Sequence, residues 1–341
     1  MKLTYVVNVP SFFLSHRLPI ALEALRQGWQ VDVVAGREAR SDKSQASIAA
    51  IRGYGMGFSQ AAFSPAGTHP LRELWGILST VRHIWRLKPD VLHTVSPKGN
   101  LYGGIAARLC RVPRLVVAVS GQGFLFTGQA VGLKAWLAKL YQGLMRWVYA
   151  HPNCSVIVQN RDDWAALLQH GMLQERQLLW IPGSGVDLNA FNPSQHEQNT
   201  VLFPARLLTD KGIREFVEAA RQLKAAGYSW QFVLAGEAGA ANPAAVSEAQ
   251  VSEWVAEGCV RWLGHVADMR PVYAEAAIVC LPSYREGMPK ALLEAAAAGK
   301  PVVTTDAVGC REAIEPGVTG TLVPVADVPA LVKALAELIQ D

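Results

Sequence analysis

Two carboxylates, Glu286 and Glu294, stand eight residues apart in the run Tyr284-Arg285-Glu286-Gly287-Met288-Pro289-Lys290-Ala291-Leu292-Leu293-Glu294. An apolar, strand-like run at 277–281 precedes this stretch and an alanine-rich, helix-like run follows it, so Glu286 falls in a loop. Glu294 falls about a turn and a half inside the helix, at ~3.6 residues per turn. Gly287 lets backbone approach a ligand closely, and Pro289 suits a first helical position because it has no N–H to leave unpaired. The start of a helix offers free N–H donors and the positive end of a dipole, which favours a phosphate. Carboxylates beside such an anion site can hold sugar and ribose hydroxyls. The pattern predicts a site for a nucleotide-sugar.

A second run, Phe203-Pro204-Ala205-Arg206-Leu207-Leu208-Thr209-Asp210-Lys211-Gly212, ends a strand and projects Arg206 and Lys211 from the loop before the next helix. Two cations at a strand end are costly to desolvate unless an anion meets them. A diphosphate satisfies both, Arg206 as a planar fork and Lys211 as a point charge. Taken alone, the segment also reads as a solvated loop in which Asp210 does the pairing.

The elements that must position these groups alternate along the chain. Its 341 residues suggest two domains. Half the residues are apolar and 18% are charged, which excludes disorder. A net charge of +4 is too small and too spread for a nucleic-acid partner, yet compatible with anionic lipid or a phosphorylated substrate. Five cysteines without metal-ligand spacing suggest reduced thiols in a cytosol. No secretory signal reads at the start, where the first apolar run stops at Pro10, and no run approaches the ~20 residues that span a bilayer. The expectation is a cytoplasmic protein with peripheral membrane contact only.

Strands are predicted at 3–8, 31–35, 91–95, 115–119 and 155–159, with helices at 18–26, 70–86, 99–109, 133–149 and 161–169. The helix at 70–86 is strongly patterned, with Leu71, Leu74, Trp75, Leu78, Val81 and Trp85 recurring at three and four. A stretch rich in glycine, proline, asparagine and serine at 182–200 is read as the linker. Beyond it, strands at 201–204, 230–235, 259–263, 278–281, 301–304 and 321–323 alternate with helices at 213–226, 244–257, 269–276, 289–298 and 328–339. This is an α/β pattern: two doubly wound domains, 1–185 and 186–341, with a ligand crevice at the carboxyl ends of their sheets.

Taken together, the two charged runs resemble glycosyltransferase family 4, the retaining enzymes of GT-B fold with two Rossmann-like domains. Further matching pieces are Gly183-Ser184-Gly185-Val186-Asp187, Leu234-Ala235-Gly236-Glu237, Gly264-His265-Val266 and Gly299-Lys300-Pro301-Val302-Val303. The resemblance implies that Arg206 and Lys211 hold the donor diphosphate, that Glu286 binds the donor sugar and that Glu294 binds ribose. It also implies that Gly287, Met288 and Pro289 line the phosphate and sugar, with Gly236 in a glycine turn and Val266 against the base. A UDP-sugar would be the donor, with no further cofactor and no divalent metal. The new linkage would retain the anomeric configuration, by front-face attack. The family's usual last helix, which crosses back onto the first domain, is not found before Asp341.

The run Phe12-Phe13-Leu14-Ser15-His16-Arg17-Leu18-Pro19 and the run His93-Thr94-Val95-Ser96-Pro97-Lys98-Gly99-Asn100 resemble a bacterial subgroup that builds capsule, O-antigen or N-linked glycans on undecaprenyl diphosphate. His16, Lys98 and Asn100 are its candidate acceptor contacts. A lipid-linked acceptor implies peripheral contact with the cytoplasmic face of the inner membrane. Phe12, Phe13, Phe124 and Phe126 are the residues expected to meet lipid, while the apolar face of the helix at 133–149 is read mainly as covering the sheet. Two other readings share the architecture: a UDP-N-acetylglucosamine 2-epimerase, which needs no acceptor, and a nucleotide-sugar-binding protein without catalysis.

Overall fold

Short runs of valine, leucine and isoleucine that are apolar on both sides can be satisfied only between two layers of helices, and they form the central strands of two parallel sheets. A computed structural model describes the chain apart from residues 39–40, 65–68, 121–131, 192, 194–198, 240–241, 243 and 341. It divides into two units, Met1–Ser184 and Gly185–Asp341.

In the first unit the elements run β1 (Lys2–Val7), α1 (Pro10–His16), α2 (Leu18–Arg26), β2 (Gln30–Ala35), α3 (Ser41–Gly53), β3 (Gly57–Gln60), α4 (Pro70–Leu87) and β4 (Val91–Val95). They continue with α5 (Pro97–Leu109), β5 (Arg114–Val119), α6 (Leu133–Tyr149), β6 (Cys154–Val158), α7 (Arg161–Gln169) and β7 (Leu178–Trp180). Strand order is β3-β2-β1-β4-β5-β6-β7, with every pairing parallel. The order reverses between β1 and β4, so α1 to α3 cover one face and α4 to α6 the other. Phe13, Ala21 and Ile51 form the core beneath the first group; Ile84, Tyr102, Met145 and Val148 form the core beneath the second.

The second unit runs β8 (Thr200–Phe203), α8 (Ile213–Ala225), β9 (Gln231–Leu234), α9 (Glu248–Ala256), β10 (Arg261–Trp262), α10 (Arg270–Glu275), β11 (Ile278–Leu281), α11 (Lys290–Ala297), β12 (Val302–Thr305), β13 (Gly320–Val323) and α12 (Val328–Gln340). Its six strands are parallel in the order β10-β9-β8-β11-β12-β13 around one core. Central strands β8 and β11 pair directly, Val201 opposite Ile278. Their carboxyl ends therefore release the Arg206 loop and the Glu286 loop side by side.

Two features go beyond what the sequence predicted and one corrects it. First, α3 and β3 were not foreseen: α3 turns Ser44 and Ser47 inward beside Ile51, so small polar residues stand where a periodic apolar stripe would be. Second, Phe13 is fully buried in the core, which withdraws it from a lipid-facing role, while Phe12 is partly buried against that core and Phe124 and Phe126 lie outside the described residues. Third, α4 buries Gly76, Thr80 and Ile84, and turns the stripe of Leu71, Leu74, Trp75, Leu78 and Trp85 outward. A tryptophan-rich ridge cannot approach α5 as closely as the glycine does, because a Cβ on Gly76 would already meet Phe63 at 2.8 Å and Tyr102 at 3.3 Å.

Candidate functional site

The second unit assembles a charged site at the ends of β8 and β11. Lys211, at the close of the loop after β8, pairs directly with the Glu286 carboxylate in the loop after β11. Both side chains are mostly buried, at 19% and 13% exposure, so this is not a casual surface pair. Backbone holds the two loops in that register. The carbonyl of Asp210 accepts from the Ser283 hydroxyl at 3.1 Å and from the Tyr284 N–H at 2.9 Å. Gly212 sits at φ +75°, where the Pro282 carbonyl leaves no room for a Cβ, at 2.1 Å. Asp210 thus serves the site through its main chain rather than as a partner for Lys211.

A second strut comes from β12. The Thr305 hydroxyl donates to the Ser283 carbonyl and Thr304 donates to Leu281 at 2.7 Å. Glu286 N–H donates to the Val308 carbonyl at 2.9 Å. Gly309, at φ +78°, lies against the carbonyls of Glu286 and Gly287, and a Cβ there would fall 2.5 Å from the first. Ser283, Thr305 and Gly309 position Glu286, and of these Thr305 and Gly309 were not singled out from sequence. Their only signal was a threonine closing a strand and a glycine beyond it, which carry no chemistry of their own.

Arg206 is exposed, and its side chain makes no hydrogen bond or ion pair among the described residues. It is the uncommitted cation of the site. Met288 and Pro289 are buried, with Gly287 half-buried beside them. Pro289 is the N-cap of α11 rather than its first helical residue: its ψ of 109° is extended, while its carbonyl accepts from the N–H groups of Leu292 and Leu293. Glu294 sits one turn in, 15% exposed, paired with Lys290 at 3.0 Å. Behind it, burial pushes the Tyr273 hydroxyl well above its ordinary range and the nearby Glu294 charge adds to that; Tyr273 also donates to the Ala291 carbonyl at 2.9 Å. Gly236 ends β9 so tightly against Ala205 that a Cβ would fall 1.8 Å from its carbonyl, and the Gly236 carbonyl accepts from the Trp262 indole at 2.8 Å. Val266 packs partly buried against the core next to this turn.

The first unit is arranged differently. Asn100 is buried and its amide donates to the Ala118 carbonyl at 2.9 Å, fastening α5 to β5. Lys98 is engaged by Glu73 at 2.8 Å and by the Ser64 carbonyl at 2.9 Å. His16 stacks on Phe12, centroids 4.2 Å apart, with its Nδ1 2.6 Å from the Ser15 hydroxyl. A polar group unseen from sequence lies beneath them. Arg17, 4% exposed, donates to the His16 carbonyl at 2.9 Å and to the Ser184 hydroxyl at 3.1 Å. Tyr5 and His93 pack at 5.0 Å on neighbouring strands. Burial, with the Arg17 cation adding to it, lowers His93 to about 3, so the ring is neutral. Burial raises Tyr5 to about 12, opposed by the same cation.

With this geometry in place, the relationship to known proteins is direct. Residues 17–182 match the family model described as Glycosyl transferase 4-like domain, and residues 198–341 match the model described as Glycosyl transferases group 1. The N,N'-diacetylbacillosaminyl-diphospho-undecaprenol alpha-1,3-N-acetylgalactosaminyltransferase of Campylobacter jejuni is 27% identical across 100% of this chain and 90% of its own. The UDP-Gal:alpha-D-GlcNAc-diphosphoundecaprenol alpha-1,3-galactosyltransferase of Escherichia coli is 24% identical across 80% of this chain and 72% of its own. Among solved structures, HepE of Anabaena in complex with UDP superposes with a TM-score of 0.73 at 20% identity, covering 100% of this chain and 90% of that one. The sucrose-phosphate synthase of Thermosynechococcus elongatus does so with 0.76 at 19%, again covering 100% and 90%. The chain belongs to glycosyltransferase family 4 and has the GT-B fold.

Two outcomes follow from this packing. Gly236→Ala drives a Cβ into a backbone carbonyl and is expected to destabilise the second unit by roughly 1–3 kcal/mol, read as a lower unfolding temperature by calorimetry. Gly143→Ala, a helical site with open space around it, should be neutral or stabilising by up to ~1 kcal/mol. For His93, the folded value lies below the ordinary 6.5, so the unfolded chain binds the extra proton and stability falls as pH drops from about 6.5 toward 3. Urea midpoints measured across that window should decline in the wild type and decline less in His93→Phe.

Proposed function

We propose that this family 4 enzyme transfers a hexose or N-acetylhexosamine from a UDP-sugar to a saccharide carried on polyprenyl diphosphate, with retention of anomeric configuration. The observation that carries the donor half is the Lys211–Glu286 pair just ahead of α11, with Arg206 exposed on the same loop as Lys211. A cation, a carboxylate and a helix N-terminus together suit a diphosphate joined to a sugar. Negative charge builds on the diphosphate as the glycosidic bond breaks, so fixed donors already facing it supply the largest share of catalysis. Lys211 and Arg206 stabilise that charge, Glu286 holds the donor sugar and Glu294 the ribose. Gly287 and Met288 line the phosphate and sugar through backbone, Pro289 can offer only its carbonyl, and Gly236 and Val266 flank the base. The departing phosphate oxygen takes the acceptor's proton, so neither a separate base nor a metal is assigned a step. No cofactor beyond the donor is assigned.

The acceptor half rests on the two relatives whose names specify sugars on diphospho-undecaprenol. Such an acceptor sits in a membrane. No helix among the described residues is long and apolar enough to cross one, which fits a peripheral enzyme on the cytoplasmic face of the inner membrane. An epimerase would convert the nucleotide-sugar without acceptor and is the competing outcome of the assay.

Incubation of a panel of nucleotide-sugars with polyprenyl-diphosphate saccharides should give a product heavier by one sugar only when a UDP-sugar and acceptor are both present, and NMR of the new linkage should give the donor's anomer. Turnover should persist in EDTA. Glu286→Ala and Lys211→Ala should each lower kcat by roughly 10²–10³-fold, as removal of one fixed charge-stabilising donor does. Sugar conversion without acceptor, or full turnover in both variants, would reject the reading.

A further inference from the structure

The outer face of α4 is apolar where water would otherwise meet it. Leu71, Leu74, Trp75, Leu78 and Trp85 recur at three and four, and each is more than half exposed, from 52% at Leu78 to 72% at Leu71. This is not a helix whose core face is unused. Its other side is already packed, with Gly76, Thr80 and Ile84 buried against α5 and the first core. The face is extended by α6, which turns Trp136, Leu137 and Leu140 outward while Met145, Val148 and Tyr149 are buried. Both helices pack on α5 and share one core cluster, so their outer surfaces lie on the same side of the first unit.

Charge indicates what covers that side. α4, α5 and α6 together carry eight lysines and arginines and a single acid, Glu73. That acid is already taken by Lys98 and by the Tyr102 hydroxyl. The whole chain is only +4, so everything outside these three helices is net negative. Arg72, Arg82 and Arg86 are exposed among the leucines and indoles of α4, and Lys139 and Arg146 do the same on α6. A second copy of the same face would set cation against cation. A bilayer surface with anionic headgroups above hydrocarbon meets both kinds of group at once: guanidinium at the phosphate level, tryptophan and leucine just beneath.

We propose that the outer faces of α4 and α6 are the surface by which the first unit lies on an anionic lipid bilayer, with α4 as the principal contact. The proposal rests on the reading of a lipid-linked acceptor and deepens it: it names the protein surface and places the principal lipid contact on the tryptophans and leucines of α4.

Co-sedimentation with phosphatidylcholine vesicles, with and without phosphatidylglycerol, tests it. Wild type should bind the anionic vesicles and lose most binding on plain phosphatidylcholine. Trp75→Ser/Leu78→Ser/Trp85→Ser and, separately, Arg72→Glu/Arg82→Glu/Arg86→Glu should each weaken binding at least roughly tenfold, with turnover on a short-chain, detergent-dispersed acceptor unchanged. The charge-reversal set changes only exposed arginines and leaves every apolar residue in place, which keeps the test standing should the first set fold poorly. Undiminished binding by both sets overturns the assignment of this face while leaving the lipid-linked acceptor intact. Absence of binding by wild type overturns the membrane reading itself. A wild-type dimer that the same substitutions dissociate, seen by sedimentation velocity, overturns it in favour of a second copy.

Discussion

A lysine and a glutamate from separate loops hold one another at the end of the second sheet, and much of that unit is built around the contact. Lys211 and Glu286 are each mostly withdrawn from water, so each needs the other until a ligand supplies an alternative partner. A flexible pair of loops could not sustain this. The chain therefore spends backbone hydrogen bonds from Asp210, Val308 and Ser283 on fixing the loops, and uses Gly212 and Gly309 where a Cβ would collide with carbonyls. The two loops emerge from neighbouring strands β8 and β11, whose pairing sets their separation. Catalytic charge placed this way needs little reorganisation when the diphosphate becomes more negative.

The first unit shows the usual distribution of polarity inverted in two places. Inside, Arg17, Tyr5 and His93 form a polar group in a region where apolar residues would pack more cheaply, and His93 is kept neutral by its surroundings. Outside, α4 and α6 show tryptophan and leucine to the exterior. Natural domains tolerate such inversions chiefly where function demands them. The first belongs to the entrance of α2, where the Arg17 guanidinium ties the helix to Ser184 at the end of the unit. The second belongs to the surface.

Much of the fold was readable because parallel sheets bury their strands on both faces, and buried strands leave short unbroken apolar runs in sequence. The strands near 91–95, 115–119 and 278–281 are of that kind, and the two-part α/β fold followed from their alternation with helices, while the family followed from the resemblance of the charged runs. α3 and β3 were missed for the converse reason: an edge strand of four half-buried or exposed residues and a helix that buries serines have no apolar period to detect. In the site, Glu286, Lys211, Arg206 and Glu294 announced themselves through charge at strand and helix ends. Asn100 was ambiguous in sequence, because an amide at a helix start is equally suited to a ligand and to a neighbouring strand's carbonyl, and in the structure it bonds the latter. Thr305 and Gly309 were silent because they act by holding backbone, through one hydroxyl on a carbonyl and one missing Cβ.

What sequence alone determined was the inventory of chemistry and its local setting: which charges stand at the ends of which strands, and the two-part α/β plan. Periodicity established that α4 is amphipathic, but an apolar stripe has the same spacing whether it faces the core or the exterior. Only the tertiary structure decided between them, because packing between α4 and α5 is set by close contact at Gly76, a property of two helices at once. The pairing of Lys211 with Glu286, 75 residues further along, was likewise decided in three dimensions, since strand order rather than chain order makes them neighbours.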